Sequence, residues 1–238
     1  MASKYALLGS DLRLVLVGQD KVGKSSAGNT ILGEKKFGCQ ASSRPLTLSS
    51  EQMEVVVGEH RVLVVDTPGL CSSRLSAEEV KAKLLKAVEF CSPGPHVFLL
   101  TLQLGRLTPQ EQEGLQILQR MLSSEVSKRT MLLFTYGDRL EDTDMEQFIR
   151  EDDNLQKLLK SCSGIYHVFN NKMDDQKQVE ELLKKIDSIS EGGSLFYQRG
   201  SRSGSRSWWS VCRCVYRFYR IIYRVLCQIC YRLFNIFR

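Results

Sequence analysis

LRLVLVGQDKVGKSSAGNT, residues 12–30, is the stretch on which the fold turns. Leu12, Leu14, Val15, Leu16 and Val17 form an apolar, β-branched run of the kind that is buried on both faces as a parallel strand. That run empties into Gly18-Gln19-Asp20-Lys21-Val22-Gly23-Lys24-Ser25, a complete G-x-x-x-x-G-K-[ST] phosphate loop, with Ser26 next to it. The glycines let successive N–H groups converge on phosphate oxygens, and a helix over Ser25–Leu32 adds its positive end. Lys24 is placed to reach the β- and γ-phosphates and the Ser25 hydroxyl to face Mg2+. A glycine turn of purely structural purpose would not also need the strand before it and the helix after it.

Downstream, residues 33–50 have loop composition and hold the candidates for a second Mg2+-directed hydroxyl: Thr47 first, with Ser42, Ser43 and Ser49 as rivals. Met53–Val57 and Arg61–Val65 read as a hairpin about Gly58-Glu59-His60. The second run ends in Asp66-Thr67-Pro68-Gly69, a D-x-x-G whose Asp66 stands where a strand delivers a metal-directed carboxylate. The next residue is Leu70, where many small GTPases carry a glutamine that orients water. Leucine cannot do so, and slow hydrolysis is predicted.

Ser76 and Glu79 form a capping box that opens an amphipathic helix to Phe90. Ser92-Pro93-Gly94-Pro95-His96 then turns the chain into a buried strand, Val97–Leu102, with His96 read as a strand-edge residue without catalytic duty. Thr108, Pro109 and Glu111 signal a helix over Pro109–Leu122. Arg106 precedes it in a glycine-containing loop on the edge where α/β sheets hold ligands. It is a candidate arginine finger or simply a solvated side chain. Thr130–Thr135 is another buried strand, and Thr135-x-x-Asp138 reads as a variant of N-K-x-D, in which the carboxylate selects guanine. Two charged helical segments over Glu141–Cys162, a short strand Tyr166–Phe169, the loop Asn170-Asn171-Lys172 facing the purine O6, and an amphipathic helix Asp174–Ile189 complete the domain.

Composition divides the chain. Residues 199–238 carry nine arginines and no Asp, Glu or Lys, so the rest sums to −3 against a net charge of +6. A mildly acidic globular part argues against nucleic-acid binding, and a basic tail argues for an anionic surface. Cys39, Cys71, Cys91 and Cys162 are scattered as reduced thiols would be. No secretory signal opens the chain, so a cytosolic placement is expected. Residues 1–11 read as a leader, 12–190 as the nucleotide domain, 191–207 as a flexible linker and 208–238 as a basic amphipathic helix. In that helix Arg213, Arg217, Arg220 and Arg224 form one stripe, while Phe218, Ile222, Val225 and Ile229 face the other way. A spanning helix needs about 20 largely apolar residues, whereas the longest arginine-free stretch here is seven, Val225–Tyr231. An in-plane membrane helix with Trp208 and Trp209 at the interface is therefore preferred over packing on the domain, on a second copy, or spanning. Cys212, Cys214, Cys227 and Cys230 read as S-acylation acceptors ahead of a zinc site.

Ser92-Pro93-Gly94-Pro95-His96-Val97 leading to Gln103-Leu104-Gly105-Arg106, with Phe134-Thr135-Tyr136-Gly137-Asp138 and Phe169-Asn170-Asn171, resembles the GIMAP family of immunity-associated GTPases, in the septin-like and chloroplast-import-receptor-like group. Arg139 departs from an acidic residue found there in some members. The resemblance implies an α/β P-loop NTPase G domain, a mostly parallel sheet with helices on both faces. It also implies GTP or GDP with Mg2+, and nucleotide-dependent homodimers whose nucleotides face one another. The function expected is a membrane-associated guanine-nucleotide switch with slow or dimerisation-stimulated hydrolysis, in which Arg106 acts in trans. A GTP-binding scaffold that hardly hydrolyses is the alternative, and a P-loop ATPase or kinase is disfavoured by Asp138 and Asn171.

Overall fold

In the computed structural model, which describes residues 11–38, 47–105, 107–140, 144–172 and 175–198, the opening run is the strand β1, Asp11–Gly18. It pairs in parallel with β3 (His60–Asp66) on one side and β4 (Val97–Gln103) on the other. The antiparallel β2 (Glu51–Val57) forms the edge beyond β3, and β5 (Thr130–Thr135) and β6 (Tyr166–Val168) extend the other side. The order β2-β3-β1-β4-β5-β6 makes β1 the strand at which the winding reverses. Doubly wound sheets bind ligands outside the carboxyl end of that strand.

Both faces of β1 are covered because alternate side chains feed two cores. Val15 and Val17 join Leu84 and Val88 of α2 (Ala77–Phe90), Leu115 and Leu118 of α4 (Gly114–Met121), and Leu155 of α6 (Asp153–Ser161). Leu12, Leu14 and Leu16 join Ile31 of α1 (Lys24–Leu32) and Val179, Leu182 and Ile186 of α7 (Gln176–Ser190). Each fully enclosed aliphatic chain contributes about 1.5–3 kcal/mol by leaving water, so a strand with no polar face is held from both sides. The mostly parallel α/β sheet expected from the sequence is thus observed.

Three local expectations need correction. The helix expected over Pro109–Leu122 is two pieces, α3 (Pro109–Gln112) and α4, interrupted at Glu113, where Gly114 lies against Leu100. The final strand stops at Val168 rather than Phe169, and α5 (Met145–Glu151) and α6 supply the two charged helices. The third concerns residues 191–198, read as the start of a linker, which instead pack on the domain. Tyr197 is buried in the first core, its N–H donates to Pro95 O at 2.7 Å, and its ring lies edge-on to Phe98. Gly94 is required beneath it, since a Cβ there would come within 1.9 Å of Tyr197 O. By its contacts the chain divides into two units, Met1–Arg199 and Gly200–Arg238. Asp11, read as the end of the leader, already belongs to β1, and residues 1–10, 39–46, 106, 141–143, 173–174 and the whole basic tail lie outside the described residues. Among the described residues no helix is long and apolar enough to cross a membrane.

Candidate functional site

The phosphate loop is built by close approaches that only glycine allows. Gly18 sits at φ +144°, and a Cβ on it would come within 2.5 Å of Thr101 O. Gly23, at φ +92°, is the N-cap of α1, and no side chain caps the helix there, so its first N–H groups point into the loop. Lys24 is buried, with Nζ donating to Gln19 O at 2.6 Å. Burial pushes its pKa down, opposed by the nearby Asp66 carboxylate.

Facing Lys24 from the end of β3, Asp66 is buried and accepts through Oδ2 from Ser25 Oγ at 2.6 Å and from Thr47 Oγ1 at 3.3 Å. Its other oxygen, Oδ1, is buried with no hydrogen-bond partner among the described residues, and desolvation raises the pKa of the Asp66 carboxyl. Two hydroxyls and one carboxylate with an unengaged oxygen are a hard-oxygen set of the kind Mg2+ accepts, one carboxylate being its usual share. The donor set therefore fits the ion expected from the sequence. Thr47 is the hydroxyl the structure brings to this point, while Ser42 and Ser43 lie outside the described residues.

The loop after β3 lies flush against the phosphate loop. Leu70 N–H donates to Gly18 O at 3.0 Å, and a Cβ on Gly69 would meet Asp20 Oδ1 at 2.2 Å. Gln19 bridges outward, donating to Gln110 O at 2.8 Å and accepting from Cys71 N–H at 3.1 Å. Leu70 itself is buried in the core.

At the other end of α1 a cavity of about 450 Å3 is lined by Ser26, Thr30, Tyr136, Asp138, Asn171 and Lys172 among others. Thr135 Oγ1 donates to Val22 O at 2.6 Å and so ties the end of β5 to the phosphate loop, and Thr30 Oγ1 donates to Asn171 Oδ1 at 3.0 Å. Asp138 is ion-paired with Lys172, whose hydrogen bond holds its carboxyl below the usual range. The sequence placed Asp138 and the loop Asn170-Asn171-Lys172 near a base, but Thr30 was given no such role. Thr30 joins them because α1 passes beside the loops that follow β5 and β6, a meeting that no spacing in the sequence records. Lys21 lies in the loop at φ +65°, and Arg106 is outside the described residues.

Comparison with known proteins bears on this arrangement. The human GTPase IMAP family member 8 is 32% identical over 202 residues, covering 83% of this chain and 30% of that protein. Immune-associated nucleotide-binding protein 10 of Arabidopsis thaliana is 31% identical over 188 residues, covering 75% and 41%. The chain thus spans less than half the length of either. Toc33 from Arabidopsis thaliana, crystallised with Mg2+ and GMPPNP, superposes with a TM-score of 0.57 at 18% identity over 77% of this chain and 85% of that one. For Toc33 and Toc159, dimerisation is important for GTPase activity. At such identity the likeness speaks for the fold alone. The model of the AIG1 family matches residues 12–205, which, with relatives of that kind over most of its length, makes this chain a member of the AIG1 family.

Proposed function

We propose that the chain is a guanine-nucleotide-binding protein that takes GTP or GDP with Mg2+. The observation that carries this is Asp66, buried at the mouth of the phosphate loop with Ser25 and Thr47 on one oxygen and, among the described residues, no hydrogen-bond partner on the other. The names of its relatives, GTPase IMAP and immune-associated nucleotide-binding proteins, and the Mg2+ and GMPPNP bound by Toc33, support the same reading. Backbone N–H groups of residues 18–26 and the Lys24 ammonium hold the phosphates. Ser25, Thr47 and Asp66 hold Mg2+, Asp66 through water. When bound, Mg2+ would supply positive charge against the phosphates. Asp138 accepts from the base N1–H and amino group once Lys172 releases it, with Thr135 keeping that loop on the phosphate loop and Asn171 beside it.

Turnover on a lone subunit is slow, because Leu70 is buried and has no group with which to orient water. Arg106 from a second copy supplies the missing charge, in keeping with the dependence of Toc33 activity on dimerisation. Leu70 equally favours a second reading, a scaffold that binds GTP and assembles with negligible hydrolysis. With residues 191–198 packed on the domain, the boundary at 208 and attachment of residues 208–238 to an anionic membrane complete the proposal on the strength of the arginine pattern.

Titration of purified protein with fluorescent GDP and ADP in the presence of Mg2+ tests it. Tight GDP binding, at least a hundredfold weaker ADP binding and loss of both in Lys24→Ala are expected, since charge-assisted phosphate contacts are the strongest available. Absence of GDP binding, or equal binding of ADP, overturns it.

A further inference from the structure

Tyr136 occupies the position where an N-K-x-D loop has its lysine, and neither the phosphate chemistry nor Asp138 accounts for it. Its backbone lies at φ +60°, a left-handed conformation that is costly for a bulky residue and persists only where the surroundings enforce it. The enforcement is visible. Gly137 N–H donates to Phe169 O at 2.9 Å, and a Cβ on Gly137 would lie 3.0 Å from Val168 Cγ1, which wedges the loop against β6. Arg139 N–H donates to Tyr136 O at 2.9 Å, and the Arg139 guanidinium carbon lies 4.5 Å from the centroid of the Tyr136 ring. That guanidinium is itself held from behind. It donates through Nη1 to Leu104 O at 3.3 Å, and the Gln103 amide, turned with its oxygen toward it, accepts from Nη2 at 3.2 Å. Tyr136 thus has a cation on its ring, while the residue lines the cavity shared with Asp138 and Asn171.

We propose that the purine stacks on the Tyr136 ring, and that Arg139 is a positioning residue that fixes this ring by bridging it to the end of β4. The chain then grips its base by an aromatic face where N-K-x-D loops use the stem of a lysine, and Arg139, a departure from the family pattern, is the partner that the tyrosine requires. This rests on the guanine-nucleotide reading above. Stacking is indifferent to the hydrogen-bond pattern of the base, because every purine has a π face, whereas Asp138 distinguishes bases by their N–H donors. The two contributions therefore separate by experiment.

Dissociation constants are measured for GDP and for IDP, which lacks only the exocyclic amino group. Tyr136→Gly is the informative variant, since glycine suits the left-handed backbone and the protein keeps its fold. It is expected to weaken GDP and IDP by the same factor, roughly tenfold or more, leaving their ratio unchanged, and Tyr136→Phe restores the loss. Asp138→Ala instead collapses the ratio. Arg139→Ala weakens both nucleotides severalfold in the wild-type background and has no further effect on Tyr136→Gly. Wild-type affinity in Tyr136→Gly, a changed GDP to IDP ratio in that variant, or additivity of the Arg139 and Tyr136 changes would each overturn the proposal. Failure of the wild-type protein to bind GDP would instead overturn the guanine-nucleotide reading itself.

Discussion

At position 96 a histidine is fully enclosed between the start of β1 and residues 193–197. Its Nδ1 accepts from Arg13 N–H at 2.8 Å, which leaves Nε2 protonated and donating to Gly193 O at 3.1 Å. Burial, reinforced by the Arg13 guanidinium and by Arg129, lowers its pKa to about 4. His167 on β6 is likewise lowered to about 4, by burial and then by Lys185. Since the unfolded histidine titrates near 6.5, the unfolded chain takes up these protons first as pH falls. Stability is full above that value and is lost as pH falls from about 6.5 toward 4, each histidine costing on the order of 1–3 kcal/mol at the acid end. Urea midpoints at pH 7.5 and pH 5.0 check this. The wild type is expected to lose stability at the lower pH, and His96→Gln to start lower at pH 7.5 but to fall less. An undiminished fall would remove His96 from the account.

Among the elements, those with a repeating apolar pattern were legible in advance and those made by convergence were not. β1, β4 and β5 announced themselves as predominantly apolar runs, and the capping boxes of α2 and α3, Ser76 with Glu79 and Thr108 with Glu111, are formed as the sequence suggested. The phosphate loop and D-x-x-G were equally plain, because local backbone geometry dictates their residues. The base cavity was only half visible, since Thr30 lies on α1 and Tyr136 and Lys172 on the loops after β5 and β6, and no spacing records their meeting. Residues 191–198 were misread because Gly192, Gly193 and Ser194 resemble a linker, although Leu195, Phe196 and Tyr197 form an apolar cluster that a solvated linker would not need. Phe196 stacks near Arg13, whose guanidinium carbon is 5.6 Å from its ring, and Tyr197 Oη meets Ser123 Oγ at 3.2 Å. Tyr197→Ala is accordingly expected to cost about 3–5 kcal/mol, the range for removing a large buried ring. Thermal unfolding of that variant, beside a chain ended at 190 and one ended at 198, gives the check. The chain ended at 198 should melt well above the one ended at 190, and equal melting would show that the segment adds nothing.

For the molecule as a whole, charge and assembly carry the expectations. Arginine fingers contribute roughly 10³ to 10⁵ in rate, so Arg106→Ala is expected to leave GTP affinity intact and to abolish turnover that rises with protein concentration. Phosphate release per subunit, measured across a range of concentrations, decides it, and the scaffold reading is favoured if the wild type itself shows no such rise. Removal of residues 208–238 is expected to abolish binding to vesicles containing anionic lipid, and at intermediate salt the intact chain should bind less as ionic strength increases. Persistent binding by the shortened chain would place the contact elsewhere.

The turn Ser92-Pro93-Gly94-Pro95-His96 contributed to the family resemblance, yet none of it approaches the phosphate loop. Gly94 makes room for the carbonyl of Tyr197, Pro95 receives its amide proton, and His96 holds the oxygen of Gly193. What this signature encodes is a socket for the chain's own later residues. A relative that shares the socket should share the plug, so an aromatic pair some hundred positions downstream is the feature to seek when the limits of such a domain are drawn.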